Sequence, residues 1–313
     1  MTNNVITINL QSQGRRLDKF LTEHLSLSRS QIQKMIKSGQ VLIDQKPAAV
    51  HHFLKLNDKI EIQEKKIEVQ EKKTKKQKEK PNRLFSQIKI IAEEPDFLIL
   101  EKPAGLLVHP TETSKSGTLA DWLIAKYPQL AKIGEDPLRP AIVHRLDKDV
   151  SGLMLIPKTQ DSFDYFKQQF KLHNIIKKYL ALVSGTVVKD EEIINFPISR
   201  SRTKRGLFAA HPHNHEGKKA ITKFNVSKRF RNYTLLEVQI LTGRTHQIRV
   251  HLLAHGHPVA GDKLYNGRLK TKNGLDRIFL HATELEFSDP AGKQWRFKSR
   301  LPKKLADFMK KLK

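Results

Sequence analysis

Three short segments concentrate glycine, proline and reactive side chains more densely than a bland core requires. They are Glu101-Lys-Pro-Ala-Gly-Leu-Leu-Val-His-Pro110, His144-Arg-Leu-Asp-Lys-Asp-Val-Ser-Gly152 and Thr242-Gly-Arg-Thr-His-Gln-Ile-Arg-Val-His251. In the middle one, a strand-like Ala141-Ile-Val143 leads in and a strand resumes at Leu153. His144, Arg145, Asp147, Lys148 and Asp149 are thus displayed on a loop between rigid elements, where catalytic groups commonly sit. A carboxylate flanked by Arg145 and Lys148 is stabilised in its ionised form, so Asp147 suits a nucleophile or base and makes a poor proton donor. The competing reading is a structural salt-bridge turn. Histidine offers a second chemistry: His211-Pro-His-Asn-His215 and the helically spaced pair His251 and His255 are arranged as metal ligands can be. No Glu follows His251 in the zincin arrangement and no acid supplies an obvious third ligand, so no metal is expected.

Periodicity supplies the elements that position these segments. Ile88 to Ala92 and Phe97 to Glu101 flank Glu93-Glu-Pro-Asp96 as a hairpin, and Thr118-Leu-Ala-Asp121 caps a helix. Further strands are expected at Leu153 to Ile156, Lys178 to Val183, Ile221 to Val226, Tyr233 to Leu241 and Phe279 to Phe287. Helices are expected over Asp161 to Phe170 and Thr245 to Ala254. The mixture is α+β with a mainly antiparallel mixed sheet. Near the N-terminus, Leu17, Phe20, Leu21 and Leu25 recur at helical spacing. Ser28-Arg-Ser-Gln31 offers a capping box for a second helix that ends at Gly39, and short strands follow, giving a small αα-β unit.

The chain has 313 residues, a formal charge of +26 and no cysteine, which excludes disulfides, thiolate nucleophiles and Cys-ligated metals. No uncharged stretch approaches the ~20 residues a membrane span needs, and no secretory signal is visible, so a cytoplasmic protein is expected. Residues 1–63 carry +4, residues 64–83 carry +5 and residues 84–313 carry +17. Most of the excess therefore belongs to folded surface, and a polyanionic partner is expected. The lysine-rich stretch has almost no apolar residues and reads as a solvated linker. Three parts follow: 1–63, a linker over 64–85, and 86–313.

The run Arg16-Leu-Asp-Lys-Phe-Leu21, with Leu27-Ser-Arg-Ser-Gln-Ile32 and Ser38-Gly-Gln-Val41, resembles the S-four-like RNA-binding domain. It implies RNA contacts from Arg15, Arg16, Arg29 and Lys34. The segment His144 to Leu153 closely resembles the signature of the RluA-type pseudouridine synthases. Lys102 to Pro110, Lys178-Tyr-Leu-Ala181, and Leu241 to His251 with Gly256-His-Pro-Val-Ala-Gly-Asp262 match its other motifs in order. One departure is Val150, where the family usually has Thr.

The resemblance implies isomerisation of uridine to pseudouridine without a cofactor, with Asp147 as the catalytic residue, as a nucleophile at the anomeric carbon or as a base at the 2′ position. It implies that Tyr179 packs on the base and helps remove the carbon 5 proton. It implies further that Arg249 pairs with Asp147, with Arg244 as the rival for that place, and that Arg145 and His144 contact RNA during base flipping. The implied substrate is 23S-type large-subunit ribosomal RNA, with transfer RNA as the alternative; a monomer with no obligate protein partner is the default expectation. The rival functions are a non-catalytic ribosome-assembly factor and a metal-dependent nuclease.

Overall fold

The computed structural model describes residues 5–25, 27, 29–50, 52–63, 82–111, 114–204, 206–213, 216–266 and 275–313, with residues 29 and 30 described by their backbone. The chain divides into two compact units, Met1–Glu79 and Lys80–Lys313. The N-terminal unit runs β1 (Val5–Thr7), α1 (Leu17–His24), α2 (Arg29–Lys37), β2 (Val41–Ile43), β3 (Lys46–Pro47) and β4 (Lys59–Ile62). Its strands form an antiparallel sheet in the order β1-β4-β2-β3. Leu17, Phe20 and Leu21 of α1 and Ile32 and Ile36 of α2 pack with Val41 and Ile60 as its core. The capping residue expected at Ser28 lies outside the described residues, as does most of the expected linker, over 64–81. The end of that expected linker is corrected: Asn82 donates to the Gly117 carbonyl at 2.7 Å, and Leu84 and Phe85 pack on the core of the second unit.

The second unit begins with a hairpin, β5 (Lys89–Glu93) and β6 (Phe97–Lys102), then α3 (Leu119–Lys126), capped reciprocally by Thr118 and Asp121. There follow β7 (Ser151–Pro157), α4 (Gln160–Leu172), β8 (Ile176–Ser184), β9 (Glu191–Ile194), β10 (Ile198–Arg200), β11 (Phe208–Ala210), β12 (Thr222–Phe230), β13 (Tyr233–Ile240), α5 (Gln247–Ala254), β14 (Leu280–Ser288), β15 (Gln294–Lys298) and α6 (Lys303–Lys310). Among the described residues these strands build a sheet ordered β5-β6-β7-β14-β8-β13-β12-β9, with β15 added to the C-terminal half of β14. The β7–β14 pair is parallel and every other pair in this sheet is antiparallel, so the expected mainly antiparallel α+β sheet holds.

The β7–β14 pairing fixes where the Asp147 loop ends. Gly152, at φ +129°, faces Ala282 so closely that a Cβ would meet its carbonyl oxygen at 2.3 Å, so only glycine allows this register. β7 is buried along its whole length, with core on both faces of the sheet.

Candidate active site

The loop before β7, the middle of β8 and the start of α5 converge on a cavity of about 580 Å³, lined by Arg145, Asp147, Tyr179, Arg244, His246 and Arg249 among others. α5 is buried on nearly all sides, so its polar residues must find internal partners. Gln247 donates to the Ile221 carbonyl and Thr222 Oγ1 and accepts from Thr242 Oγ1. His251 accepts from Thr222 Oγ1 and donates to the Phe196 carbonyl. This satisfied frame presents Arg249 to the cavity.

Arg249 joins two carboxylates. One terminal nitrogen donates to Asp147 Oδ2 at 3.1 Å, while Nε and the other terminal nitrogen donate to the two oxygens of Asp262 at 2.7 and 2.8 Å. The Tyr265 ring lies 4.9 Å from the guanidinium carbon. Burial works against the charge of Arg249, but the Asp262 and Asp147 carboxylates hold its pKa above the ordinary value. Asp262 reaches this position because Gly261, at φ +73°, passes the Arg277 carbonyl where a Cβ would come within 2.1 Å. The bidentate fork on Asp262 orients the guanidinium, which in turn fixes one oxygen of Asp147.

His246 Nε2 lies 3.9 Å from Asp147. The Tyr265 hydroxyl accepts from the Phe208 N–H at 3.2 Å and shares a hydrogen bond with His246 Nδ1 at 2.7 Å, which holds the ring with Nε2 facing Asp147. Tyr179 is buried on the cavity wall. Burial first, and then the Asp147 charge, push its hydroxyl above the ordinary range, so it is a neutral phenol at physiological pH.

Lys102 is fully buried and donates to the carbonyls of Pro103, Leu106 and Lys148. Gly105 N–H also donates to Lys148 O, so the first motif is stapled to the Asp147 loop. At the loop's other end Arg277 donates to Ser151 Oγ, which bonds His281 Nδ1 at 2.8 Å, and His281 Nε2 bonds Ser299 Oγ, which donates to Glu101.

Of the residues expected at the site, Asp147, Tyr179 and Arg249 come together, and Arg145 lines the cavity with a guanidinium nitrogen 3.5 Å from His109 Nε2. Arg244 is not the partner of Asp147: its Nε donates to the Lys219 carbonyl. The cation bonded to Asp147 is Arg249, from 102 residues away, rather than either of its sequence neighbours Arg145 and Lys148. His144 is corrected from an RNA contact to an anchor: Nε2 accepts the Leu155 N–H, the ring stacks on Phe170 at 4.5 Å, and burial pushes its pKa down to about 3.

In the N-terminal unit, Arg15 pairs with Glu23 and Arg16 clamps the buried Asp18. Lys34 is exposed, and the Arg29 side chain lies outside the described residues. Of the histidines of the metal reading, His211 bonds Ser199 Oγ and His255 bonds Glu192, while His215 lies outside the described residues. The sequence reading gave no role to Asp262, His246, Tyr265, Lys102 or Lys177; the signal available was the glycine before Asp262 in a matched motif.

Comparison with known proteins defines first the fold and then the family. The solved structure of human RNA pseudouridylate synthase domain containing 1 aligns with a TM-score of 0.58 at 24% identity, covering 70% of this chain and 85% of the other. That of human RNA pseudouridylate synthase domain containing 4 aligns at 0.57 and 22% identity, covering 72% and 93%. The second unit thus has the pseudouridylate synthase fold. Residues 96–254 match the RNA pseudouridylate synthase family, and residues 15–60 match the S4 domain.

The chain is 33% identical to the uncharacterized RNA pseudouridine synthase YlyB of Bacillus subtilis, over 98% of this chain and 97% of that protein. It is also 33% identical to ribosomal large subunit pseudouridine synthase D of Salmonella typhimurium, over 97% and 92%. This chain belongs to the RNA pseudouridylate synthase family, and its activity is the isomerisation of uridine to pseudouridine in RNA.

Proposed function

We propose that the chain modifies large-subunit ribosomal RNA, that Asp147 is the group that acts on the sugar, and that residues 1–63 and 82–313 divide RNA binding from catalysis. The observation that carries the site is the Asp262–Arg249–Asp147 chain at the wall of a basic cavity. The base nitrogen to sugar bond must break and the bond from carbon 5 must form, with loss of the carbon 5 proton and no net transfer. Arg249 fixes one oxygen of the Asp147 carboxylate and so aims it, as either nucleophilic attack on the anomeric carbon or proton removal at the 2′ position requires.

Tyr179 supplies a flat wall for the freed uracil. As a neutral phenol it takes the carbon 5 proton only if its own hydroxyl proton passes on, and Asp147 is the adjacent acceptor. Arg145, exposed at the cavity and chemically able to stack and bind phosphate, fills the gap left by a flipped nucleotide. Lys19, Lys34 and Lys37 are exposed on the two N-terminal helices and contact RNA phosphates.

Relatives named for the ribosomal large subunit, matched along nearly their whole length, support the substrate. We place the protein in the cytoplasm as a monomer working during ribosome assembly; among the described residues no helix is long and apolar enough to cross a membrane. The test is tritium release from carbon 5-labelled large-subunit ribosomal RNA and, separately, from transfer RNA. Release from the ribosomal RNA alone is expected; release confined to transfer RNA would overturn the substrate assignment.

A further inference from the structure

Strand β8 buries every second residue, and its inward row reads Lys177, Tyr179, Ala181. A lysine in a row that otherwise fills the core breaks the rule by which strands are built, and such breaks gather at functional sites. Lys177 is 7% exposed, and its ammonium sits 5.2 Å from the centre of the Phe170 ring. Among the described residues no carboxylate forms an ion pair with it and no acceptor takes a hydrogen bond from it. The ammonium itself opens into the cavity rather than being sealed in the core, and burial of the rest of the side chain pushes its pKa down to about 8.

Lys177 lines the same cavity as Asp147 and Tyr179. On its side of that cavity Lys171, His173 and Arg244 also contribute to the lining, and all three are exposed. Arg244 reaches Lys219 through its carbonyl, and the charges acting on His173 are Lys177, Arg244 and Lys219, all positive. The cavity therefore has the Arg249-paired Asp147 carboxylate on one wall and, on another, Lys171 and Arg244 exposed at the rim with Lys177 further in.

We propose that Lys177 binds a phosphodiester flanking the target uridine, so that the substrate supplies the counter-charge the protein omits. This rests on the reading that the cavity receives the flipped nucleotide. A base carbonyl would accept a hydrogen bond but leave the cavity-facing charge uncompensated, whereas a phosphate accepts the bond and supplies the opposite charge. The cations at the rim suit the chain of phosphates that leads to it.

The experiment uses the full-length protein and a large-subunit ribosomal RNA fragment that it modifies. The 5′ or 3′ phosphate of the target uridine is replaced by an uncharged methylphosphonate, and wild type is compared with Lys177→Met and Lys177→Arg. On ordinary RNA, Lys177→Met is expected to lower kcat/KM about 10- to 100-fold, the range of a charged hydrogen bond, chiefly through KM. Its salt dependence should be shallower by about 0.7 in log–log slope. A methylphosphonate at one of the two positions should impose a similar loss on wild type and little further loss on Lys177→Met, while Lys177→Arg should keep the sensitivity. Lys177→Met acting like wild type on ordinary RNA, or wild type losing nothing at either position, would overturn the proposal. The second comparison needs no variant to fold. Failure of wild type on every ordinary RNA would instead sink the underlying reading of the cavity.

Discussion

Replacing Asp262 by asparagine keeps the shape of the side chain and removes the charge that holds Arg249. In the native protein two N–H groups of Arg249 reach Asp262 at 2.7 and 2.8 Å, in surroundings where Asp262 is 3% and Arg249 5% exposed. Breaking a buried ion pair costs about 3–5 kcal/mol. The Asp262→Asn amide retains an oxygen for one guanidinium nitrogen and for the backbone N–H groups of Leu264 and Tyr265, so a cost of about 3 kcal/mol, at the low end of that range, is expected. For a unit of this size that lowers Tm by about 6–12 °C.

The catalytic effect is separate from this loss of stability. Without its fork the guanidinium swings toward Asp147 and drags the carboxylate from its line of action, and a displacement of about 1 Å costs about 100-fold. Single-turnover tritium release below the variant's Tm measures this with folding controlled, and KM should change little. A rate within about twofold of wild type, far from the loss expected of misplacement, would refute the idea that Asp262 aims Asp147 through Arg249.

Two further outcomes follow from the scaffold. Gly152→Ala places a methyl group against the Ala282 carbonyl at a backbone angle that disfavours any side chain, and should cost about 3 kcal/mol or more. An unchanged Tm in a thermal melt would contradict the β7–β14 pairing. Burial lowers the pKa of His144 to about 3 and that of His281 to about 4, from an ordinary 6.5. Between about pH 6.5 and 4 the unfolded chain binds protons that these rings refuse, so stability is fully present above about pH 6.5 and is lost as pH falls. Two such groups give a slope of at most about 3 kcal/mol per pH unit. Urea midpoints from about pH 7 to 5 should show the fall, less steeply in His281→Gln; a flat profile would contradict it.

The strands and helices were legible because their apolar periods are local. Phe163 and Phe166 mark one face of α4, and the Thr118 and Asp121 pair caps α3 where the motif places it. The Asp147 loop was legible as a display of charged side chains between two rigid elements, but its electrostatics were not. Its sequence neighbours Arg145 and Lys148 suggested a cation on either side, while the bond made is to Arg249, brought in by the fold. Asp262, Tyr265 and His246 escaped because each acts through a partner that no spacing rule connects. His144 looked like a free contact because its partner, the Leu155 N–H, belongs to a strand edge that sequence does not orient.

The central claim is that Asp147, held by Arg249, acts on the ribose of a uridine in RNA. The direct measurement is single-turnover tritium release from carbon 5-labelled RNA by wild type and by Asp147→Ala, each shown by Tm to be folded. Release by wild type and none above background by the variant is the predicted result. Release by Asp147→Ala at the wild-type rate would contradict it.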